Sequence, residues 1–159
     1  MKYRMNLLIL LICPLLLLFG CKHESVDDPS DKFSGYWECV RLSVNGKEYS
    51  DVYSDEMGFD LPVYAFYNLA LANDGTGYIC QPIDKIDHET AAKQAFTWKK
   101  DNDSVTLCGS ENSSMTLDYA DGQLVFKPDE STCFWFGKVS KFTDFDPDQW
   151  LKKTEEAKK

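Results

Sequence analysis

The chain has 159 residues, of which 43% are apolar and 27% are charged. This length and composition are typical of one globular domain, and they exclude a disordered chain and a coiled coil. Seventeen basic and 26 acidic side chains give a net charge near −9. Because the phosphates of a nucleic acid would repel such a surface, we expect no nucleic acid among the partners.

The first predicted element is an export signal over residues 1–20. Two basic residues precede an apolar run over residues 7–19, and the run contains Pro14. It is shorter than the roughly 20 residues that cross a bilayer as a helix, and proline disfavours a lasting span. The pattern is therefore typical of a cleaved signal peptide. The signal could belong to a lipoprotein, as the residues at its end indicate. The alternative is an ordinary signal peptide whose cleavage site happens to border a cysteine.

The end of this segment, Leu18-Phe19-Gly20-Cys21, resembles the lipobox of bacterial lipoproteins. The resemblance implies cleavage before Cys21 and acylation of that residue, so that the membrane becomes a partner through covalent lipid. Two or more acyl chains anchor a protein stably. Lys22, where an aspartate would resemble an inner-membrane retention signal, indicates the outer membrane of the cell envelope. The sequence leaves open whether the protein faces the periplasm or the cell surface.

Residues 21–32 are predicted to be a lipidated flexible tether, because they are polar and lack an apolar pattern. Cleavage of residues 1–20 removes two basic side chains and no acidic one. That leaves 15 basic against 26 acidic side chains, a net charge near −11 for the mature chain.

The folded domain is predicted over residues 33–145 as a series of short strands. Turn signals recur about every eight to twelve residues. Asparagine, aspartate and glycine in these turns tolerate positive φ, which favours tight hairpins at Asn45-Gly46 and Asp121-Gly122. The predicted strands cover residues 36–44, 47–53, 64–72, 76–82, 95–100, 104–108, 115–119, 123–127 and 132–140.

Eight or nine strands in sequential hairpins predict an all-β fold, and closure into an antiparallel up-and-down barrel is preferred over a sandwich because it removes exposed edges. The first strand has two sets of apolar residues that strict alternation would place on opposite faces of the sheet. One set is Trp37 and Cys39, and the other is Val40, Leu42 and Val44. This conflict predicts a β-bulge between them. Strand alternation elsewhere predicts an inward face formed by Phe96, Trp98, Val105, Leu107, Met115, Leu117, Tyr119, Leu124, Phe126, Phe134 and Phe136.

Part of this inward face is the candidate lining of a ligand site. An eight-stranded barrel is about wide enough to be filled by its own side chains or to hold one small ligand, so packed core and ligand lining both remain open. The acidic residues 51–62 are expected to form a loop at one barrel mouth. The candidate lining residues are Phe96, Trp98, Met115, Leu117, Leu124, Phe126, Phe134 and Phe136.

Four cysteines of the mature domain, Cys39, Cys80, Cys108 and Cys133, are candidates for disulfides. An even number in an exported chain predicts two bridges. Alternating strand directions are expected to place all four near one end of the barrel, and Cys39–Cys133 with Cys80–Cys108 is the preferred pairing of three. Free thiols are the alternative, since cysteine packs readily as a small apolar residue. A metal site is disfavoured because no Cys-x-x-Cys pair occurs.

The C-terminal residues 146–159 are predicted to form a short helix and a charged tail. Asp146 can cap the helix and Pro147 can occupy its first position. We expect the helix to dock by its first turn, where Trp150 can pack. Three alternating aspartates there could attract calcium, but the glycine and distant glutamate of an EF-hand are absent.

Gly35-Tyr36-Trp37 matches the G-x-W signature of lipocalins and the wider calycin barrels. With the lipobox, the hairpin meander, Trp98 before a turn and the Asp-Gly turns, the chain resembles the bacterial lipocalin-like lipoprotein family over roughly residues 33–140. The resemblance implies that Trp37 closes one end of the barrel beneath a basic residue of the last strand, Lys138 or Lys141. Lipocalins often carry arginine there, and an ammonium stacks less well on indole than a guanidinium.

Nothing in the sequence selects a catalytic site. The two histidines are His23 in the tether and His88 between two acidic residues, and no nucleophile elbow, phosphate loop or metal-binding helix motif occurs. We therefore expect a protein that is not an enzyme and uses no cofactor or metal. The expected function is to hold a small apolar or amphipathic ligand at the cell envelope. The alternative is a filled barrel whose loops contact an envelope protein or a glycan.

Overall fold

The computed structural model describes residues 31–54, 59–86, 91–110 and 113–156, so the predicted export signal, Cys21 and most of the predicted tether lie outside the described residues. The described part contains eleven strands and one α-helix. They are β1 Gly35–Val44, β2 Lys47–Tyr49, β3 Asp51–Ser54, β4 Phe59–Pro62, β5 Asn68–Leu71, β6 Thr76–Gln81, β7 Ala92–Asp101, β8 Ser104–Cys108, β9 Ser114–Ala120, β10 Gln123–Phe126, β11 Thr132–Val139 and α1 Pro147–Glu156.

Eight of these strands form a closed antiparallel barrel. Its hydrogen-bonded order runs from β11 through β10, β9, β8, β7, β6 and β5 to β1, and β1 pairs with β11 to close it. The prediction of an all-β, up-and-down, lipocalin-like barrel with a short C-terminal helix is confirmed. The ninth strand of the sheet, β2, pairs with the last residues of β1, and β3 and β4 form a separate hairpin.

Two predicted strands differ most from the observed ones. The predicted strand 47–53 is two strands, β2 and β3, neither of which belongs to the closed barrel. The predicted strand 64–72 begins only at Asn68, because residues Val63–Ala65 form a 3-10 turn. The Asn68 side chain helps to fix this boundary, since its amide nitrogen donates to Tyr64 O at 3.0 Å and its oxygen accepts from Cys39 N at 3.1 Å.

The predicted hairpin turns are present. Asn45 and Gly46 have φ values of 52° and 75°, and Asp121 and Gly122 have values of 53° and 80°. These are the left-handed conformations that two-residue hairpins require. Local turn chemistry therefore fixes where the chain reverses at both places.

The predicted bulge in β1 lies at Val40. The pairing register of β1 with β11 shifts between Cys39 and Arg41. Trp37 and Cys39 before the shift, and Leu42 after it, are then all buried in the core. Val40 itself is 43% exposed on the outer wall. The bulge thus reconciles the two opposing parities in the sequence of this strand.

The two ends of the barrel differ in their connections. At the end where β1 begins, the neighbouring strands are joined by residues 72–75, 102–103 and 121–122. We call this the closed end. At the opposite end, which we call the open end, the connections are residues 45–67, 82–91, 109–113 and 127–131. The longest connections therefore gather at the open end, and β3 and β4 lie within the first of them.

The chain after β11 returns along the outside of the barrel. The backbone N and the Oγ1 of Thr143 donate to the buried Glu38 carboxylate at 2.6 and 2.9 Å. Phe142 packs edge-on against Tyr36 and Tyr78 of the outer wall. This strap carries the C-terminal segment from the closed end back towards the open end.

The C-terminal helix docks as expected. Asp146 Oδ1 accepts from the backbone N atoms of residues 148 and 149, so this side chain caps α1. Trp150 Nε1 donates to Asp60 O at 2.7 Å. Trp150 also packs against a second small core around Leu61, Ala65 and Phe145. The first turn of the helix therefore fastens it to β4.

The predicted disulfides are not formed in the structure, where none of these four cysteines is bridged to another. Cys39 faces Phe136 across the β1–β11 ladder, three residues away from Cys133 and about 10 Å along the strand. Cys39 belongs to the core, whereas Cys133 lies next to the inward-packed Phe134 and so faces outwards. A disulfide requires Cα atoms within about 7 Å, which excludes this bridge.

The second predicted bridge fails for a similar reason. Cys80 on β6 and Cys108 on β8 are separated by β7, where they face Lys93 and Thr97. The sequence-based pairing counted the predicted strand 47–53 as part of the barrel. Without that strand, an even number of barrel strands lies between the first and the last. Because consecutive strands alternate in direction, β1 and β11 are antiparallel and begin at opposite ends of the barrel.

The four thiols are expected to differ in reactivity. Cys39 and Cys80 are buried, whereas Cys108 and Cys133 are half-buried. Burial raises the pKa of Cys39 to about 12, which suppresses its thiolate. When the protein comprising residues 22–159 is treated with a thiol reagent near neutral pH, Cys108 and Cys133 should be modified first. After unfolding without a reductant, all four cysteines should react. Peptide mapping checks the order of modification. Fewer than four reactive thiols in the unfolded chain would mean that disulfides form in this protein.

Candidate functional site

The closed end is sealed by aromatic side chains. Trp37 is fully buried, and its Nε1 donates to Phe33 O at 2.7 Å. Phe33 is also buried and meets Tyr119 edge-on, with ring centroids 5.5 Å apart. Trp37 contacts the same tyrosine ring at 6.3 Å. These rings and the first residues of the described chain close this end of the barrel.

Lys138 lies where the family resemblance places a basic residue. It is opposite Trp37 in the β1–β11 register, and its Nζ lies 5.7 Å from the centroid of the tryptophan ring. The same Nζ donates to Asp31 O at 3.3 Å. Lys138 therefore contacts both the indole and the chain that enters the barrel. Of the two candidate lysines, Lys138 is the one that the structure places against Trp37.

The chain enters the barrel through a clamp formed by Asp31 and Lys32. The Asp31 carboxylate accepts from Lys100 Nζ at 2.7 Å and from Phe33 N at 3.0 Å. Lys32 Nζ donates to Asp103 Oδ1 at 2.6 Å. Both clamp residues were predicted to belong to the tether, and their contacts instead place them on the folded domain.

The Asp31 clamp should make stability depend on pH. Burial disfavours the charged carboxylate, but the hydrogen bonds from Lys100 and Phe33 outweigh it and lower the pKa of Asp31 below its ordinary value of 3.8. Stabilisation from such a group is complete above the unfolded pKa and is lost as pH falls through the folded pKa.

Asp31→Asn should therefore lower the free energy of unfolding by about 1 kcal/mol at neutral pH. The difference from the wild-type chain should shrink once the pH is below the ordinary pKa of aspartate. Urea titrations at neutral pH and at about pH 3 check this. An equal loss at both pH values would contradict the ionised clamp.

Inside the barrel, side-chain exposure changes from one end to the other. Towards the closed end, Leu71, Val105, Leu117 and Leu124 are fully buried. Towards the open end, apolar side chains that pack on this core are only half-buried. We call them the mouth cluster: Val44, Val52, Tyr67, Ile79, Met115, Phe126 and Phe134.

The mouth cluster is centred on three aromatic rings. Phe126 and Phe134 are stacked with centroids 6.2 Å apart, and Tyr67 meets Phe134 edge-on at 6.1 Å. Phe126 and Phe134 also face each other in the β10–β11 register. Val52 comes from β3 and contacts the barrel core from the long connection that crosses this end. The cluster thus combines rings from the wall with a side chain from a loop hairpin.

Polar groups accompany the mouth cluster at its rim. Gln94 faces Ile79 in the β6–β7 register and is exposed. Burial, and secondarily the Asp84 carboxylate, raise the pKa of Tyr67 above its ordinary value of 10. The phenol therefore keeps its proton at neutral pH and retains donor capacity. An amide and a phenol beside an apolar surface suit a ligand with an apolar body and a polar group.

The eight candidate lining residues separate into two groups. Phe96, Trp98, Leu117, Leu124 and Phe136 are buried in the packed core. Met115, Phe126 and Phe134 are half-buried in the mouth cluster. The structure thus assigns the first group to packing and brings only the second to the open end.

Four members of the mouth cluster were not predicted from the sequence. Val44 follows the bulge, and its inward direction could have been derived from that register shift. Ile79 lies two residues after Gly77 and so on the same face of β6. A Cβ atom on Gly77 would come 2.4 Å from the Phe96 ring, so this glycine makes room for the aromatic side chain. Tyr67 and Val52 lie outside the closed barrel strands, and strand alternation carries no signal for either.

The remaining chemistry of the described residues is limited. They contain no group of three or more His, Cys, Asp or Glu side chains that could hold a metal ion. His88 and its acidic neighbours lie outside the described residues. No α-helix in the part that the structure describes is long and apolar enough to cross a membrane.

Comparisons with known proteins returned no relative. No protein-family model matches the chain, and no curated protein or solved structure is significantly similar to it.

Proposed function

We propose that this protein is a lipid-anchored, lipocalin-like binding protein of the cell envelope. It holds a small apolar or amphipathic ligand at the open end of its barrel and performs no chemistry on it. The observation that carries this proposal is the change in exposure along the barrel interior, from fully buried side chains to the half-buried mouth cluster.

The composition of the mouth supports the ligand class. Aromatic and aliphatic side chains offer apolar contact area, and water reaches them because they are only half-buried. Ligand sites in proteins combine such surfaces with a few polar groups, and the mouths of β-barrels are a common location. Tyr67 and Gln94 can supply the polar contacts. A net charge near −11 for the mature chain disfavours an anionic macromolecule as the partner.

The ligand proposal is tested by native mass spectrometry of residues 22–159. A bound molecule should add one mass to the folded protein and should be lost on unfolding. The stripped protein should also bind N-phenyl-1-naphthylamine, an apolar fluorescent probe, with saturation at one molecule per chain. A bare mass together with no saturable probe binding would overturn the proposal. That result would favour a filled barrel whose loops contact an envelope protein or glycan.

The anchor is tested on the full chain expressed in a bacterium that processes lipoproteins. The N-terminal peptide should begin at Cys21 and carry the mass of its acyl chains, and Cys21→Ser should release the protein from the membrane fraction. An unmodified N-terminus after Gly20, with the protein in the soluble fraction, would overturn the anchor and leave the ligand proposal standing.

A further inference from the structure

The tether joins the barrel at the end opposite the mouth. Asp31 and Lys32 are fixed to Lys100, Lys138 and Asp103, and all of these lie at the closed end. The mouth cluster lies at the open end, where β11 begins. The path from the chain's point of attachment to the mouth therefore runs the length of the barrel.

The chain between the anchor and the clamp is short. Nine residues, 22–30, separate Cys21 from Asp31. The ten Cα-to-Cα steps from Cys21 to Asp31 reach at most about 33–36 Å at roughly 3.3–3.6 Å per step. The 8 residues of β11 extend over about 26 Å along the strand at 3.3 Å per residue, which is about 20 Å along the axis of a barrel whose strands tilt by roughly 35–45°. If the barrel turned its mouth to the membrane, the tether would have to span the length of the barrel and the connections at its open end, which would take up most of its reach.

Electrostatics gives no compensating attraction to an anionic membrane. The mature chain carries a net charge near −11, so an anionic leaflet repels it. The lysines of the clamp already contact Asp31 and Asp103. The length and attachment point of the tether therefore determine which end of the barrel faces the membrane on average.

We propose that the closed end faces the membrane that holds the lipid anchor, and that the mouth opens away from it. The ligand then reaches the mouth from the aqueous compartment, and it is not drawn directly out of the anchoring bilayer. This inference rests on the lipid anchor and on the mouth of the proposed function. It narrows the ligand to a molecule that crosses water alone or is delivered by a soluble carrier.

The orientation is tested by energy transfer on the lipidated full chain in phosphatidylcholine vesicles that contain a rhodamine-labelled lipid. A donor dye is attached through an azido-phenylalanine at position 120 or at position 130, which leaves the native thiols untouched. Ala120 ends β9 at the closed end, Glu130 precedes β11 at the open end, and both are exposed. Transfer should be stronger from position 120. Equal transfer from both positions, or stronger transfer from position 130, would overturn the proposal.

A longer tether provides the matched control. Nine glycine and serine residues inserted after Lys22 should reduce the difference in transfer between the two positions, because the mouth could then reach the bilayer with a much less extended tether. An unchanged difference would overturn the tether as its cause. The mass of the Cys21 peptide and probe binding by residues 22–159 report the proposed function separately, so a failed orientation is distinguishable from a missing anchor or an empty mouth.

Discussion

Replacing Trp37 by alanine should lower the free energy of unfolding by about 3–5 kcal/mol. The side chain is fully buried, contacts Tyr119 edge-on and donates from its ring nitrogen to Phe33 O. Its removal leaves a large void at the closed end and an unpaired carbonyl beside it. Guanidinium titration followed by far-ultraviolet circular dichroism measures the loss.

Two further variants make this prediction specific. Trp37→Phe keeps most of the volume and removes the hydrogen bond to Phe33, so it should cost less than the alanine variant. It also remains measurable if Trp37→Ala does not fold. Trp150→Ala removes a half-buried ring from the small second core and should mainly release the C-terminal helix. A loss below about 1 kcal/mol for Trp37→Ala would contradict the sealed closed end.

Several features of the fold could be predicted from the sequence because they depend on neighbouring residues alone. Positive φ at Asn45 and Asp121 follows from the turn chemistry of asparagine, aspartate and glycine. The cap formed by Asp146 depends on residues within one helical turn. The bulge at Val40 was predictable because it leaves a parity conflict in the strand itself.

Features that depend on the path of the whole chain could not be predicted in the same way. Residues 47–53 have a strand-like pattern and do form strands, but only the sheet shows that β2 and β3 lie outside the closed barrel. This single difference reverses the direction of β11 relative to β1. The predicted disulfide pairing failed for that reason, although the individual strands that carry the cysteines were predicted.

The candidate site was only partly predictable. Alternation identified Phe126 and Phe134 as inward-facing, but it gives no depth along the barrel axis, so these residues could not be separated from Leu117 or Leu124. Depth depends on which ends of the strands are sealed. The aromatic seal at Trp37 therefore determines which part of the interior remains accessible to water.

The mouth should be separable from the core by one pair of substitutions. Phe134→Ala removes the ring that contacts both Phe126 and Tyr67. It should weaken binding of N-phenyl-1-naphthylamine at least tenfold, which corresponds to about 1.4 kcal/mol. Because the ring is already half-buried, its loss should cost less stability than loss of a fully buried side chain.

Leu124→Ala is the matched control, since Leu124 is fully buried on the neighbouring strand towards the closed end. It should destabilise the protein by about 2–5 kcal/mol and leave probe affinity of the folded protein unchanged. Fluorescence titration measures affinity, and guanidinium titration measures stability. If the Leu124 variant lost affinity as strongly as the Phe134 variant, the probe would be occupying the packed half of the barrel. If neither variant lost affinity, the probe would be binding outside the mouth. Only the expected pair of results therefore places the ligand among the half-buried rings at the open end.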